Sequence, residues 1–258
     1  MFETRDVTLS TGPLRVHSAG SGRPLLHLHT AAGPRGSDVV KALAGRHRVM
    51  ALVTPGFDGT PTHPAVTDFQ GLADLYAEFI TKEIGGEPCD VIGESFGGRI
   101  ALWLAVRHPK LVDHLVLEGP AGFRRPSPDW PTTDPEKRQR MLYARPDRVP
   151  PDTRSVEQQA ANSATAASYA HGVIFDEALA ARLPEITART LIVMGEKERV
   201  IPIEAAHLMK ARIPHSHLTY VFGAAHALEL DQPELVGRLV ADFLERGESF
   251  IVREADVA

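Results

Sequence analysis

One stretch constrains this chain more than any other: CDVIGESFGGRIALWLAVRHP, from Cys89 to Pro109, where an apolar strand breaks on Gly93-Glu94-Ser95-Phe96-Gly97 and runs directly into an apolar helix. Gly-x-Ser-x-Gly alone is a weak pattern, because glycine and serine are common in turns. Set between a buried strand and a helix, it prescribes a sharp turn that holds a serine at the rim of a sheet, with small residues on both sides where the backbone is crowded. The fold must therefore supply a parallel strand, a tight turn and a helix packed close behind it.

The surrounding pattern agrees. Short strands separated by turns occupy the first part of the chain, in ETRDVTLS, PLRVHSAG, RPLLHLHT and RHRVMALV. From Val66 to Ile84 apolar residues recur at three and four, predicting a helix that Gly85-Gly86 stops. The strand CDVIG, a helix over Phe96–Arg107 and the strand LVDHLVLEG follow. Continuous apolar strands alternating with helices predict a mostly parallel sheet covered on both faces.

After Gly119 the rhythm changes, and eight of the 20 prolines fall between Pro120 and Pro151. Helices are expected over Pro135–Ala144 and Thr153–Ala170, and the alternation resumes with TLIVMG, a helix over Ile203–Arg212, SHLTYVF and a final amphipathic helix over Pro233–Glu245. This divides the chain into a core at 1–122, a helical lid at 123–187 and the rest of the core at 188–258. The final ESFIVREADVA reads as an edge strand or a tail.

Length and composition bound the rest. The 258 residues suit one large α/β domain with an insertion, and 43% hydrophobic with 24% charged residues is an ordinary globular mix. The longest apolar run, Ile100 to Val106, is far short of a membrane span, and the start MFETRDVTLS has no leader pattern, so a cytoplasmic protein without membrane partners is expected. A net charge of −5 gives no case for nucleic acid. The single Cys89 rules out an internal disulfide and a cysteine metal cage. His27/His29 and His215/His217 have strand spacing with no carboxylate set near them in the sequence, so neither a metal nor a cofactor is expected. The oligomeric state stays open, with a homodimer as one option.

A serine hydroxyl is a poor nucleophile at neutral pH and needs a base in hydrogen-bond reach. Of 12 histidines, His226 is placed best. It stands in VFGAAHALELDQPE, after an apolar strand and before the last helix, at the carboxyl edge of the sheet where open α/β sheets place their ligands. His27 reads as a packed residue, His29 as a shaper of the loop after its strand, and His171 as a lid residue that touches substrate at most.

Taken together, LLHLHTAAG, TPGFDGT, GESFGG, MGEKERVIP and GAAHALELDQPE stand in the order of the motifs of the α/β-hydrolase fold superfamily, which the chain resembles over nearly its whole length. The resemblance implies an eight-stranded, mostly parallel sheet with a helical cap after the sixth strand, Ser95 as nucleophile and His226 as general base and then acid. The third member is open. Glu198 stands where the superfamily usually has aspartate; Glu118, at the end of HLVLEG, is the rival, and Asp231 is a further candidate. Oxyanion donors are expected from the backbone N–H groups of Ala31 and Phe96. Thr30 replaces the usual glycine before Ala31, and Glu94 replaces the common histidine before the nucleophile. Thr30, Glu94 and Arg99 are the side chains expected to border a small-molecule substrate; Arg124-Arg125 and EKRQR read as solvated faces, with a carboxylate clamp of Arg99, Arg124 and Arg125 as the alternative.

The leading expectation is a metal-free serine hydrolase acting on an ester. Carbon–carbon hydrolysis of the meta-cleavage type, a cofactor-free lyase or oxygenase, and a ligand-binding member of the fold are the alternatives, since fold and site do not by themselves fix a reaction.

Overall fold

The computed structural model describes residues 2–126, 132 and 134–247; the expected edge strand or tail after residue 247 lies outside them. The described residues form an eight-stranded sheet in the order β1-β2-β4-β3-β5-β6-β7-β8. Its strands are β1 (Glu3–Leu9), β2 (Gly12–Ala19), β3 (Arg23–Leu28), β4 (His47–Val53), β5 (Cys89–Glu94), β6 (Val112–Glu118), β7 (Arg189–Gly195) and β8 (Ser216–Val221). The pairs β1–β2 and β2–β4 are antiparallel, and every pair from β4 to β8 is parallel.

Successive strand residues point to opposite faces, and here both faces are buried. Leu26, Val91, Leu115 and Ile192 join one core with α2 (Phe69–Ile84), α3 (Phe96–Arg107) and α7 (Ile203–Arg212). Their neighbours Leu25, Ile92, Val116 and Leu191 join a second core with α1 (Asp38–Leu43) and α9 (Pro233–Arg246). Continuous apolar strands follow from this arrangement. Cys89, at the start of β5, is fully buried, and burial pushes its thiol pKa up to about 12.

Helix starts are set by caps. The Asp68 carboxylate accepts from Gly71 N, so α2 begins at Phe69, three residues after the periodicity suggested. Between β6 and β7 the chain makes an excursion with α4 (Pro135–Leu142), α5 (Val156–Ala170) and α6 (Glu177–Arg182). Ser155 caps α5 through Gln158 N, so this helix too starts later than Thr153. Sequence periodicity missed α1 and α6, of six residues each, and α8 (Leu228–Asp231), of four. Two turns or fewer leave too little pattern to detect. Among the described residues, no helix is long and apolar enough to cross a membrane.

Candidate active site

β5 delivers the chain to Ser95, whose φ of 47° lies in the left-handed region that favours glycine. A non-glycine residue there is strained by roughly 1–3 kcal/mol. Long-range bonds offset the strain: Ser95 N donates to Glu118 O at 2.9 Å, Ala121 N donates to Ser95 O at 2.8 Å, and Gly97 N donates to His29 O at 3.0 Å. Gly97 is obligatory here, because a Cβ on it would strike the backbone carbonyl of Leu28.

His226 stands in the loop after β8 and places Nε2 2.9 Å from Ser95 Oγ. Its Nδ1 lies 2.8 Å from Oε2 of Glu198, in the loop after β7. The other oxygen of Glu198 accepts from Val200 N at 2.6 Å and Ile201 N at 3.1 Å. Burial disfavours the Glu198 charge, but His226 and these two N–H groups outweigh it and hold the carboxyl below its ordinary pKa. Burial likewise opposes a charged His226, and Glu198 with Glu94 overcomes it, so the imidazole pKa is raised. With Glu198 ionised, Nδ1 carries the proton and Nε2 faces the serine as an acceptor.

Sequence reasoning missed Gly119, which packs beneath this pair at φ 50°; a Cβ there would lie 3.2 Å from both Glu198 Oε2 and His226 Nδ1. It also missed the task of Asp231. That carboxylate does not touch His226: it accepts from Ala225 N at 2.8 Å and Ala144 N at 2.9 Å, tying the histidine loop to the excursion.

The loop after β3 closes a turn with Gly33 N donating to Thr30 O at 3.0 Å, and the Thr30 hydroxyl accepts from Ala32 N at 3.2 Å. Thr30 thus shapes the turn through its hydroxyl. Among the described residues, the N–H groups of Ala31 and Phe96 have no protein acceptor. His29 braces the turn from below: its Nδ1 donates to Thr30 O at 2.7 Å while Nε2 accepts from Thr54 N at 3.1 Å. Burial lowers its pKa to about 4 and keeps the ring neutral, consistent with this pairing.

Several expected contacts fall elsewhere. Arg99, expected at the substrate, is buried in an ion pair with Asp176 at 2.7 Å and donates to Val173 O at 2.9 Å. Its guanidinium also lies 4.2 Å from the Phe69 ring centre. It fastens the end of the excursion to α3, because a guanidinium buried on an apolar helix needs a carboxylate and the nearest one is on that segment. Glu118 makes no hydrogen bond to His226: both its carboxylate oxygens are buried and without hydrogen-bond partners among the described residues. His171 ends α5 and binds Thr67 O at 2.9 Å.

The expectation that His27 has no carboxylates near it is corrected: its Nε2 lies 3.2 Å from both Glu94 and Glu229. Burial disfavours a charge on His27, but the two glutamates raise its pKa well above the ordinary value. Burial first, then its acidic neighbours Glu229 and Glu94, raises that of Glu118. This cluster was invisible in sequence because its members sit on β3, β5, β6 and α8.

The sheet order, the helices on both faces and the serine at the strand–helix turn define an α/β-hydrolase fold. The family model described as "Alpha/beta hydrolase family" matches residues 16–239, and the chain belongs to that family. Its curated relatives are hydrolases. A 2-hydroxymuconate semialdehyde hydrolase of Pseudomonas putida is 29% identical over 275 residues, covering 95% of each chain. A pimeloyl-[acyl-carrier protein] methyl ester esterase of Neisseria meningitidis is 28% identical over 81% of this chain and 72% of its own. Among solved structures, a serine hydrolase involved in carbazole degradation superposes with a TM-score of 0.79 at 21% identity, covering 95% of this chain and 99% of that one.

Proposed function

We propose that this protein is a serine hydrolase that cleaves a small-molecule carbonyl compound, an ester in the leading reading, through an acyl-enzyme on Ser95. The observation that carries this is the continuous line from Glu198 through His226 to Ser95, with links of 2.8 and 2.9 Å. As Ser95 Oγ attacks the carbonyl carbon, His226 Nε2 takes its proton, and Glu198 stabilises the imidazolium through Nδ1. Charge developing on the carbonyl oxygen is met by the N–H groups of Ala31 and Phe96, a donor of this kind contributing about 2.7–4 kcal/mol. Collapse expels the alcohol, which receives the proton from Nε2. Water then enters by the same route reversed and releases the acid. The excursion at 123–187 serves as the cap that selects the acyl group, and buried Cys89 suits a reducing cytoplasm.

A second reading, hydrolysis of a carbon–carbon bond next to a ketone, is favoured by the relatives acting on 2-hydroxymuconate semialdehyde. Here the ketone carbon leaves as a carboxylic acid and the departing carbon takes a proton. A cleft of about 730 Å³ bordering Glu198 gathers Arg124, Arg125 and Lys137 with Phe123, Met141 and the acidic Glu204, though neither Ser95 nor His226 lines it. That lining suits a carboxylate on an apolar body.

Intact mass after a fluorophosphonate probe, on wild type and Ser95→Ala, tests the common core. One adduct on wild type and none on the variant is expected; an unlabelled, folded wild type removes the hydrolase reading. Turnover of aryl esters against 2-hydroxy-6-oxo-dienoates then separates the two substrates.

A further inference from the structure

Helix α5 lies outside the sheet, yet one polar residue on it is fully buried. Asn162 stands on the same stripe as Ala166 and Tyr169, and its neighbours at 161, 163 and 164 are exposed. A buried amide must place two donors and an acceptor oxygen, and Asn162 does so on two loops of the core. Its Nδ2 donates to Ala32 O at 2.8 Å and Asp58 Oδ1 at 2.7 Å. Its Oδ1 accepts from Asp58 N at 2.9 Å and Gln158 Nε2 at 2.9 Å. Arg154, just before the helix, donates to the same Ala32 carbonyl and is held by Asp152 through Nη2 at 2.7 Å. Gly33 completes the fit, because a Cβ there would strike Asn162 Nδ2.

Ala32 O belongs to the Thr30–Gly33 turn, whose first central residue is Ala31. Thr30 O and the Thr30 hydroxyl are engaged within the turn and by His29 from below, and Ala32 O is the point at which α5 takes hold of it. We infer that Asn162, seconded by Arg154, is a positioning residue for the oxyanion site: by gripping Ala32 O and Asp58 it sets the direction of the Ala31 N–H, so turnover requires α5 to be seated. This rests on the hydrolase reading above. It gives the cap a task in the chemistry besides shaping the pocket, because a donor displaced by about 1 Å forfeits much of its effect.

Asn162→Ala and Arg154→Met test it with a para-nitrophenyl ester and an aryl trifluoromethyl ketone, whose adduct on serine carries the oxyanion. For Asn162→Ala, kcat is expected to fall about 10- to 100-fold with KM within about threefold, and affinity for the ketone to fall in step with kcat/KM. Arg154→Met shows the same split more weakly. The double variant loses less than the product of the two, since both side chains hold one carbonyl. Unchanged ketone affinity in folded Arg154→Met and Asn162→Ala overturns the inference, as does a loss confined to KM. If Asn162→Ala does not fold, Arg154→Met decides alone. Failure of the hydrolase reading is distinguishable, because wild type would then take up neither fluorophosphonate nor ketone.

Discussion

The charge on His226 is decided by its neighbours: Glu198 and Glu94 favour the imidazolium, whereas burial and Arg124 oppose it, and the carboxylates win. A base must be neutral to accept the serine proton, and a raised pKa keeps the ring protonated to higher pH. The acid limb of kcat/KM is therefore expected above the ordinary histidine value of about 6.5. In Glu198→Gln that limb moves down, and kcat drops by about 10³–10⁴-fold. In Glu118→Gln both stay within about threefold of wild type, because that carboxyl makes no bond to His226. A pH–rate series on the three proteins checks both statements, and the opposite ranking would transfer the acid's task to Glu118.

Between elements, Asp176 does more than its place in the sequence suggests. Its carboxylate accepts from Arg99, from Trp103 Nε1 at 3.0 Å and, as the cap of α6, from Leu179 N at 3.0 Å. Asp176→Ala leaves a guanidinium buried and unpaired on α3, so unfolding in urea is expected to show a loss of about 3–5 kcal/mol; a loss below 1 kcal/mol would mean that water replaces the carboxylate. This contact also shows where sequence reading stops. The strands and the turn at Ser95 were legible because each obeys a local requirement of backbone or periodicity, whereas the place of Glu198 after Gly195 came from the resemblance to the superfamily's motif order. Arg99 was misplaced because its partner lies 77 residues away; the bonds of Asn162 and Asp231, and the meeting of Glu94 and Glu229 at His27, escaped for the same reason. A polar residue that bridges elements leaves no periodic trace, save that a lone asparagine on a buried helical stripe asks for a partner.

Across the whole molecule, the buried acids around His27 couple stability to pH. Glu118 holds its proton in the folded state to a pH well above the ordinary glutamate value. The unfolded chain has lost that proton above about pH 4.3, so folded protein binds more protons and stability falls as pH rises beyond that value. Glu118→Gln removes this contribution, and melting temperatures are expected to decline less steeply between about pH 5 and 8 than in wild type. An unchanged slope would mean that the carboxyl ionises without penalty. The turn at Ser95 bears on the molecule in another way. Its unfavourable backbone is held by the bonds of Ser95 N to Glu118 O, at the end of β6, and of Gly97 N to His29 O, just past β3, the two strands that flank β5. A segment of β5 and α3 alone lacks both of those acceptors. The left-handed turn at Ser95 is thus a property of three parallel strands held side by side, and not of the β5–α3 segment by itself.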